Sequence, residues 1–410
     1  MSLPSDPAPI EPALLVGIDW GSKQHVVCAL EPDGKGRQRL EIPHSAEGFS
    51  RLVSWLLGLC SEPSRVAVAI EDPAHPLVDW LLEHQFQVFA LNPKQLDRFR
   101  DRHSVAGAKD DKKDAFVLAD ALRTDRHKFT ALELPDPAQL AVREASRCFD
   151  TLQKDFLRQA SRLSALLLRS APNLLELCPA ADEPFFYELL QLAPTAEASR
   201  RLRPARVAAL LKKHRKRKFS AEEVLAVLRA PRLRLAPGAE SAIAATVAAL
   251  LPGLLVSAEQ LRQARQRLDE AVRGAGRVAA IIDSFPGVAE IVTAAFIAEA
   301  PRALARPNKQ QLRALAGTAP VTVRSGLSTS VRMRRACNSR LRDASFHWAR
   351  NAIRCDPTAQ KHYQELSAKG LPYHRALRSV ADRLIARLIA ALAADALYQP
   401  PPKPKEPIAA

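Results

Sequence analysis

A change of sequence pattern near residue 135 constrains the fold of this chain more than any other feature. Before it, short β-branched and apolar runs alternate with amphipathic stretches, which is typical of a layered α/β domain. After it, Leu, Ala, Arg and Gln dominate, and apolar residues recur at helical spacing. A chain of 410 residues is also too long for one ordinary core. The sequence therefore predicts α/β plus all-α architecture.

The first part predicts the element order β-β-β-α-β-α-β-α. Strands are expected over 14–19, 25–30, 38–42, 65–70 and 88–91. Ser45 is expected to cap a helix that reaches Leu59, a second helix begins at Pro76, and the last covers 112–122. The fourth strand is almost wholly apolar, which indicates a strand buried on both faces.

The rest of the chain predicts helices. Heptad-like spacing over 152–168 and 254–272 indicates two long helices of coiled-coil type with an excursion between them. The sequence Phe285-Pro286-Gly287-Val288 predicts a helix-hairpin-helix-like turn, which either faces a phosphate or packs between two helices. The predicted domains are 1–135 (α/β), 136–277 (helical, with a basic insertion), 278–397 (mainly helical) and 398–410 (a disordered tail).

The charge balance indicates a polyanionic partner. The chain has 60 Lys and Arg against 44 Asp and Glu, a net charge of +16, which makes nucleic acid the leading class of partner. The densest basic run, 212–218, is either a solvated helix end or an arm that contacts phosphates, and 324–350 holds seven arginines against one acid. The predicted nucleic-acid-binding residues are Lys212, Lys213, Arg215, Lys216, Arg217, Lys218, Arg324, Arg332, Arg334, Arg335, Arg340 and Arg342.

The sequence gives no sign of export or of a membrane span. The first twelve residues lack a basic segment followed by an apolar one, and the apolar stretch near 244–256 is interrupted by Pro252. Six cysteines lie far apart without a C-x-x-C pair, as expected for free thiols in a reducing compartment. We therefore expect a cytoplasmic protein that does not contact a membrane.

Four acidic residues suggest a metal site in the first domain. Asp19 closes the first strand and Glu71 the fourth, while Asp111 and Asp114 are three residues apart and so share one face of the last helix. Each acid alone is more often a turn former or part of a solvated face. Together they would repel one another without a cation, and their oxygens suit one or two Mg²⁺ or Mn²⁺ ions. The set predicts a phosphoryl-transfer site.

Several motifs together resemble a known family. The segments Gly17-Ile18-Asp19, Ile70-Glu71, Leu91-Asn92-Pro93 and 109–115 resemble the DEDD-type insertion-sequence transposases related to the Piv DNA invertases, whose first domain has a RuvC-like, ribonuclease-H-like fold. Phe285 to Val288, Leu315 to Pro320, Arg324-Ser325-Gly326 and 335–342 resemble the family's carboxy-terminal domain. The resemblance covers about 1–130 and 278–395.

The resemblance implies a DNA recombinase with two sets of catalytic residues. Its metal-binding carboxylates correspond to Asp19, Glu71, Asp111 and Asp114, and its nucleophilic serine corresponds to Ser325. From the residues alone, Ser325-Gly326 is an ordinary turn and Ser328 or Ser330 would serve equally. The family further implies a structured guide RNA, called a bridge RNA, that pairs with donor and target DNA. We also expect a homodimer or homotetramer formed through the helical middle, because two duplexes must be held together.

The chain departs from the family pattern beside two of the four proposed metal ligands, Glu71 and Asp111. Asp72-Pro73-Ala74-His75 replaces the usual small residue, hydroxyl residue and Gly after Glu71, so Asp72 is a rival ligand. Asp110 stands where the family has Thr and is a second rival. Two other classes of function stay open: a metal-dependent Holliday-junction nuclease or protein-read invertase, and a nucleic-acid-binding protein without catalysis.

Overall fold

The chain forms two compact units, Met1–Pro135 and Asp136–Ala410. The structure, a computed structural model, describes residues 10–73, 75–103, 110–129, 131–134, 136–326 and 328–400. Lys109 of the helix motif, and residues 401–410 of the predicted tail, therefore lie outside the described residues. The division of the second unit into a helical domain and a carboxy-terminal domain stays a prediction.

The first unit is built on a five-stranded mixed sheet. Its strands are β1 (Leu14–Asp19), β2 (Gln24–Leu30), β3 (Gln38–Pro43), β4 (Val66–Ile70) and β5 (Gln87–Ala90). The order in the sheet is β3-β2-β1-β4-β5. The pairs β3–β2 and β2–β1 are antiparallel, and the pairs β1–β4 and β4–β5 are parallel. All five predicted strands are confirmed to within about a residue at each end.

The described residues of this unit form four α-helices. They are α1 (Ala46–Leu59), α2 (Pro76–Glu83), α3 (Pro93–His103) and α4 (Asp111–Asp125). The predicted cap is confirmed, because the Ser45 side chain accepts a hydrogen bond from the Gly48 backbone N–H. The predicted order omitted α3, whose sequence is so polar that it carries little of the apolar periodicity that predicts a helix.

The two faces of the sheet bury different side chains. Val16, Ile18 and Val27 pack with residues of α1 and α2 in one apolar cluster. Leu15 packs with residues of α4 in the other. At Gly17 the strand meets the backbone of α4 so closely that an added Cβ would lie 2.0 Å from the carbonyl oxygen of Ala115.

The second unit is mainly helical. Its helices are α5 (Pro137–Ser170), α6 (Pro184–Leu192), α7 (Ala196–Arg201), α8 (Pro204–Lys213), α9 (Ala221–Arg229), α10 (Ala239–Gly274), α11 (Gly276–Asp283), α12 (Glu290–Glu299), α13 (Pro301–Ala305), α14 (Lys309–Leu315), α15 (Ser339–Cys355), α16 (Pro357–Ala368) and α17 (Tyr373–Ala393). A two-stranded hairpin of β6 (Val321–Ser325) and β7 (Ser328–Arg332) lies between α14 and α15. The two predicted long helices are α5 and α10, both longer than the heptad pattern indicated, and the excursion between them is α6 to α9.

The prediction that Pro252 interrupts the apolar stretch is wrong, because α10 runs unbroken through it. Pro252 and the residue four positions earlier, Ala248, are both exposed. The carbonyl that the proline leaves unpaired can therefore bind water. By length and composition α10 is long and apolar enough to cross a membrane. The core helix of a soluble protein meets the same two criteria, so they do not by themselves indicate a membrane span. Here α10 packs along α5.

The turn at 285–288 is packed against α15. Gly287 has a φ of +76°, and an added Cβ would lie 2.6 Å from the backbone nitrogen of Ala352. The Trp348 indole N–H donates to the Pro286 carbonyl at 3.1 Å. These contacts favour the packing interpretation of this turn over the phosphate-binding one.

We expect Gly17→Ala to lower the free energy of unfolding of the protein by about 3 kcal/mol, because the new methyl group meets helix backbone that cannot move aside alone. The matched control is Gly58→Ala in α1, where an added Cβ has no atom within 4 Å. That change should stabilise by about 0.5 to 1 kcal/mol. Urea unfolding of both variants measures the difference, and equal effects would contradict the close approach.

Candidate active site

Asp19 and Glu71 lie side by side at one edge of the sheet. Asp19 is the last residue of β1 and Glu71 follows β4, and the register of these parallel strands pairs the residues immediately before them. Side chains alternate along a strand, so Asp19 lies on the same face as Gly17, the face covered by α4. Ala69 of β4 packs with residues of α4, and Glu71, two positions further along, therefore lies on the face covered by α4 as well.

The first turn of α4 lies at the same end of the sheet. Lys112 Nζ lies 3.6 Å from a carboxylate oxygen of Glu41. Glu41 is paired with Val26, and Val26 with Asp19. The amino end of α4, where Asp111 is the first residue, therefore lies near the strand ends that carry Asp19. The structure thus brings the predicted carboxylates of strands and helix to one end of the first unit.

Asp110 has a structural role at the same helix end. Its carboxylate accepts a hydrogen bond from the Lys112 backbone N–H at 3.1 Å and so caps α4. Acidic residues in the first turn, such as Asp111 and Asp114, also favour the helix by interacting with its dipole. A structural reason therefore exists for each of these acids besides metal binding, and for Asp110 it is a specific contact.

Asp114 is held by an arginine that sequence analysis missed. Its side chain is 2% exposed, and its two oxygens accept hydrogen bonds from Nε and Nη2 of Arg100 at 2.6 and 2.7 Å. Arg100 also contacts Asp97 at 2.7 Å. The hydrogen bonds to Asp114 raise the pKa of Arg100. Both carboxylate oxygens of Asp114 are thus committed to a fork-shaped ion pair.

The donor set suits a divalent cation, with one restriction. Asp19, Glu71 and Asp111 offer the hard oxygen ligands that Mg²⁺ and Mn²⁺ prefer. Across the part of the chain that the structure describes, no three of these carboxylates have oxygens that all lie within 4.8 Å of one another. Asp114 can contribute only if Arg100 releases it.

Three histidines gather at this end of the sheet on the opposite face. His25 Nε2 lies 3.0 Å from His44 Nδ1, and ligand atoms of both lie within 4.8 Å of one on His75. Nδ1 of His25 accepts from the Gly21 N–H at 3.3 Å, and Nδ1 of His75 from the Leu77 N–H at 3.2 Å. A neutral imidazole whose Nδ1 accepts carries its proton on Nε2. The two buried rings therefore present N–H groups, which suits a hydrogen-bond chain and not a metal.

The basic run of the second unit is partly paired. Lys213 Nζ lies 2.7 Å from Glu188, His214 lies 3.1 Å from the same carboxylate, and Lys216 pairs with Glu183. The other cations of the run are exposed and form no ion pair with a described residue. They are Lys212, Arg215, Arg217 and Lys218.

Arg340 and Arg342 also have partners in the protein. Arg340 lies 2.9 Å from Asp150 and 3.0 Å from Glu299, and Arg342 lies 3.0 Å from Asp343. Their predicted contacts with nucleic acid would have to compete with these ion pairs. By contrast, no ion pair joins Arg324, Arg332, Arg334 or Arg335 to any residue that the structure describes.

Ser325 is the last residue of β6, at the tip of the exposed hairpin. Gly326 has a φ of +55°, as a tight two-residue hairpin turn requires, and Ser325 is paired across the strands with Ser328. Ser330 is paired with Val323, two positions along, so the three hydroxyls share one face. Among the described residues none of the three makes a hydrogen bond.

Comparison with known proteins identifies matching families over most of the chain. Residues 16–172 match the transposase family model for DEDD transposases of the IS110 type. Residues 279–364 match the model for the transposase family IS116/IS110/IS902. The carboxylates and Ser325 fall inside these two ranges.

Individual relatives agree. The chain is 31% identical over 388 residues to a Streptomyces coelicolor protein named as the mini-circle transposase for IS117, which covers 91% of this chain and 92% of that protein. It is 27% identical over 400 residues to the uncharacterized 43.6 kDa protein of insertion element IS110 from the same organism. The y4uE protein of Sinorhizobium fredii, named as a transposase, is 41% identical over 207 residues, half of this chain and 58% of its own length.

We expect Arg100→Ala to lower the free energy of unfolding by about 3 kcal/mol, because the buried carboxylate of Asp114 loses its counter-charge. Added Mg²⁺ should raise the free energy of unfolding by more in the variant than in the wild-type protein. The control is Arg102→Ala, whose pair with Asp125 leaves the arginine 52% exposed and whose loss should cost under about 1 kcal/mol. Urea unfolding with EDTA and with Mg²⁺ measures these values, and equal costs would contradict the assignment.

We expect the free energy of unfolding to fall between pH 6.5 and 4. Burial, with the neighbouring His75 and His44, lowers the pKa of His25 to about 4. In the unfolded chain this pKa is about 6.5, so in that range the unfolded state binds a proton that the folded state does not, and stability falls by up to about 1.4 kcal/mol per pH unit. Burial and His44 also lower the pKa of His75, while Asp72 raises it. Urea unfolding at pH 7, 6 and 5 should give a shallower slope for His25→Gln, and an unchanged slope would argue against the shift.

Proposed function

The chain belongs to the IS116/IS110/IS902 family of transposases, and from this premise we propose that it cleaves and exchanges DNA strands with the N-terminal carboxylates and Ser325. The observation that carries the proposal is the placement of Asp19 and Glu71 side by side on the face covered by α4. A sheet edge that gathers carboxylates from two strands and a helix end is suited to phosphoryl transfer. The family already implies an enzyme that cleaves and rejoins DNA.

The first unit is, in this proposal, a RuvC-like domain of the ribonuclease-H-like fold. Support comes from its three antiparallel strands followed by two parallel ones, and from the acids at the ends of β1 and β4. The helix α4 then supplies the last acids of the DEDD set, Asp111 and Asp114. The likeness to this fold rests on the family and the topology together.

Asp19, Glu71 and Asp111 would hold one or two divalent cations, and Asp114 would join them on release from Arg100. When bound, such a cation neutralises charge on the phosphate that reacts. The protein's own contribution is to fix the carboxylates: β1 and β4 hold two of them in register, and the cap at Asp110 fixes the start of α4. Asp72 and Asp110 are secondary candidates as ligands.

Ser325 is the proposed nucleophile. Its Oγ attacks a DNA phosphorus, a P–O bond to the leaving strand breaks, and the serine proton passes to the departing oxygen. The covalent phosphoserine link conserves the energy of the broken bond, so strands can be rejoined without ATP. Arg332, on the same hairpin face as Ser325, would stabilise the charge that develops on the phosphate oxygens, whereas Arg324 lies on the opposite face and would contact the flanking backbone.

The proposed partners are donor and target DNA and a structured guide RNA. The cations available for them include Lys212, Arg215, Arg217 and Lys218, which the structure leaves exposed. Self-association would use α10, where Ala242, Ala245, Ala249 and Val256 form an exposed uncharged stripe at coiled-coil spacing. A homodimer or homotetramer built on this stripe would bring two duplexes together. We place the assembly in the cytoplasm, where the DNA is.

We expect Asp19→Asn, Glu71→Gln and Asp111→Asn to abolish strand cleavage while nucleic-acid binding is kept, because each removes a metal ligand but little surface charge. Ser325→Ala should also abolish cleavage, together with the covalent protein–DNA product. Ser328→Ala and Ser330→Ala are matched controls on the same hairpin face and should retain most of the activity. Denaturing gels with end-labelled element DNA measure both products.

The result for Ser325→Ala separates the alternatives. Cleavage that persists without a covalent intermediate would indicate a metal-dependent structure-specific nuclease in which water is the nucleophile. Activity unaffected by Asp19→Asn would instead leave a nucleic-acid-binding protein without catalysis.

We expect the protein purified from its native host to carry one abundant nuclease-protected RNA with segments complementary to two DNA sites. Light scattering of the same sample should give the mass of a dimer or tetramer. A random mixture of RNA fragments would favour a protein-read invertase, and a monomer with DNA and RNA bound would contradict assembly through α10.

A further inference from the structure

An exposed tryptophan stands next to the candidate active site. Trp20 directly follows Asp19 in the turn between β1 and β2, and it is 41% exposed. Among the described Phe, Trp and Tyr side chains, Trp20 and Tyr373 are those with this degree of exposure. Exposing so much of a large apolar ring to water is unfavourable.

The Trp20 ring packs at the end of a cluster of aromatic rings. Its centroid lies 5.4 Å from that of His75, which lies 5.0 Å from His25 and 5.2 Å from His44. His25 lies 5.8 Å from Phe49 of α1. The rings of His25 and His75 are fixed by hydrogen bonds from backbone N–H groups. One side of the Trp20 ring is therefore supported while much of its surface is open to solvent.

A cation lies in the same turn. Lys23 is exposed, three residues after Trp20, and its ammonium group forms no ion pair with any residue in the described ranges. An aromatic face beside a free cation is the combination with which proteins hold single-stranded nucleic acid, because the ring stacks on a base and the cation contacts a phosphate. Stacking of this kind tolerates any base, since each has an aromatic face.

We propose that Trp20 is a stacking platform for an unpaired base of the DNA strand held at the carboxylates, with Lys23 contacting a neighbouring phosphate. The inference rests on the proposed function for the position of that strand. A duplex opened for strand exchange exposes unpaired bases at the point of cleavage. Trp20 would hold such a base at the sheet edge that carries Asp19, on the side of the three histidines, and keep the strand from re-pairing while the phosphate reacts.

The test uses the full-length protein and a mixed-sequence single-stranded DNA oligonucleotide labelled with fluorescein. Trp20→Ala should weaken binding by about 5- to 150-fold, and Trp20→Phe should recover most of the affinity because it restores an aromatic face. The matched control is Tyr373→Ala, which removes the exposed aromatic side chain of the other unit and should leave the affinity unchanged. Unchanged affinity in Trp20→Ala would overturn the proposal.

Intrinsic fluorescence gives a second readout that needs no destabilising variant. The emission of wild-type protein minus that of Trp20→Phe reports Trp20 alone among the four tryptophans. Oligonucleotide should quench this emission, whereas polyphosphate, which has charge but no bases, should not. Quenching by both would indicate an electrostatic effect and would overturn stacking.

The experiments distinguish a failure of the proposed function from a failure of the Trp20 platform. If Asp19→Asn still cleaves DNA while Trp20 is quenched, catalysis at the carboxylates is wrong and the platform stands. If Asp19→Asn abolishes cleavage but Trp20 is not quenched, the active site stands and the platform is wrong.

Discussion

The contact between Gly17 and α4 is the constraint on which the first unit depends. A strand and a helix normally approach each other through side chains, yet here the backbone of β1 touches the backbone of α4 at Ala115 and Ala119. Such an approach fixes the position of the helix along the strand. With its first turn also tied to β3 by Lys112 and Glu41, α4 places its acidic amino end near Asp19. The position of the candidate site therefore depends on the packing of Gly17, two residues before Asp19.

The parts of this fold that depend on local sequence patterns could be predicted from the sequence. Strands such as β4 are bounded by a change from apolar to polar residues, and the cap at Ser45 is a local hydrogen bond, so both could be predicted. The helix α3 could not, because only Leu96 among its described side chains is buried and the rest of its surface is polar. The hairpin of β6 and β7 was missed for a similar reason: nearly all of its residues are exposed, so it shows no burial pattern.

The candidate site was predictable in its residue types but not in its contacts. Acids at strand ends and at a helix start follow from chain order, which is why Asp19, Glu71, Asp111 and Asp114 could be named. The ion pair of Asp114 with Arg100 joins α4 to α3, a helix that the sequence pattern did not predict. The same holds for the positive charges, because a count of Lys and Arg cannot show that Arg340 is committed to Asp150 and Glu299. The net charge of +16 therefore does not show which cations are free to meet a phosphate.

The contacts within the hairpin do not identify which of its serines is the nucleophile. Gly at 326 is required by the left-handed backbone of the turn, and this places a serine at the end of β6 whatever its role. The hydroxyls of Ser325, Ser328 and Ser330 share a face and lack hydrogen-bond partners among the described residues, and only Ser330 differs, being half-buried where the other two are exposed. A serine hydroxyl is a weak nucleophile until a neighbouring group takes its proton. That group must come from outside the hairpin when DNA is bound, and reach then favours Ser325 and Ser328, which flank the turn, over Ser330; only the match to the family motif singles out Ser325.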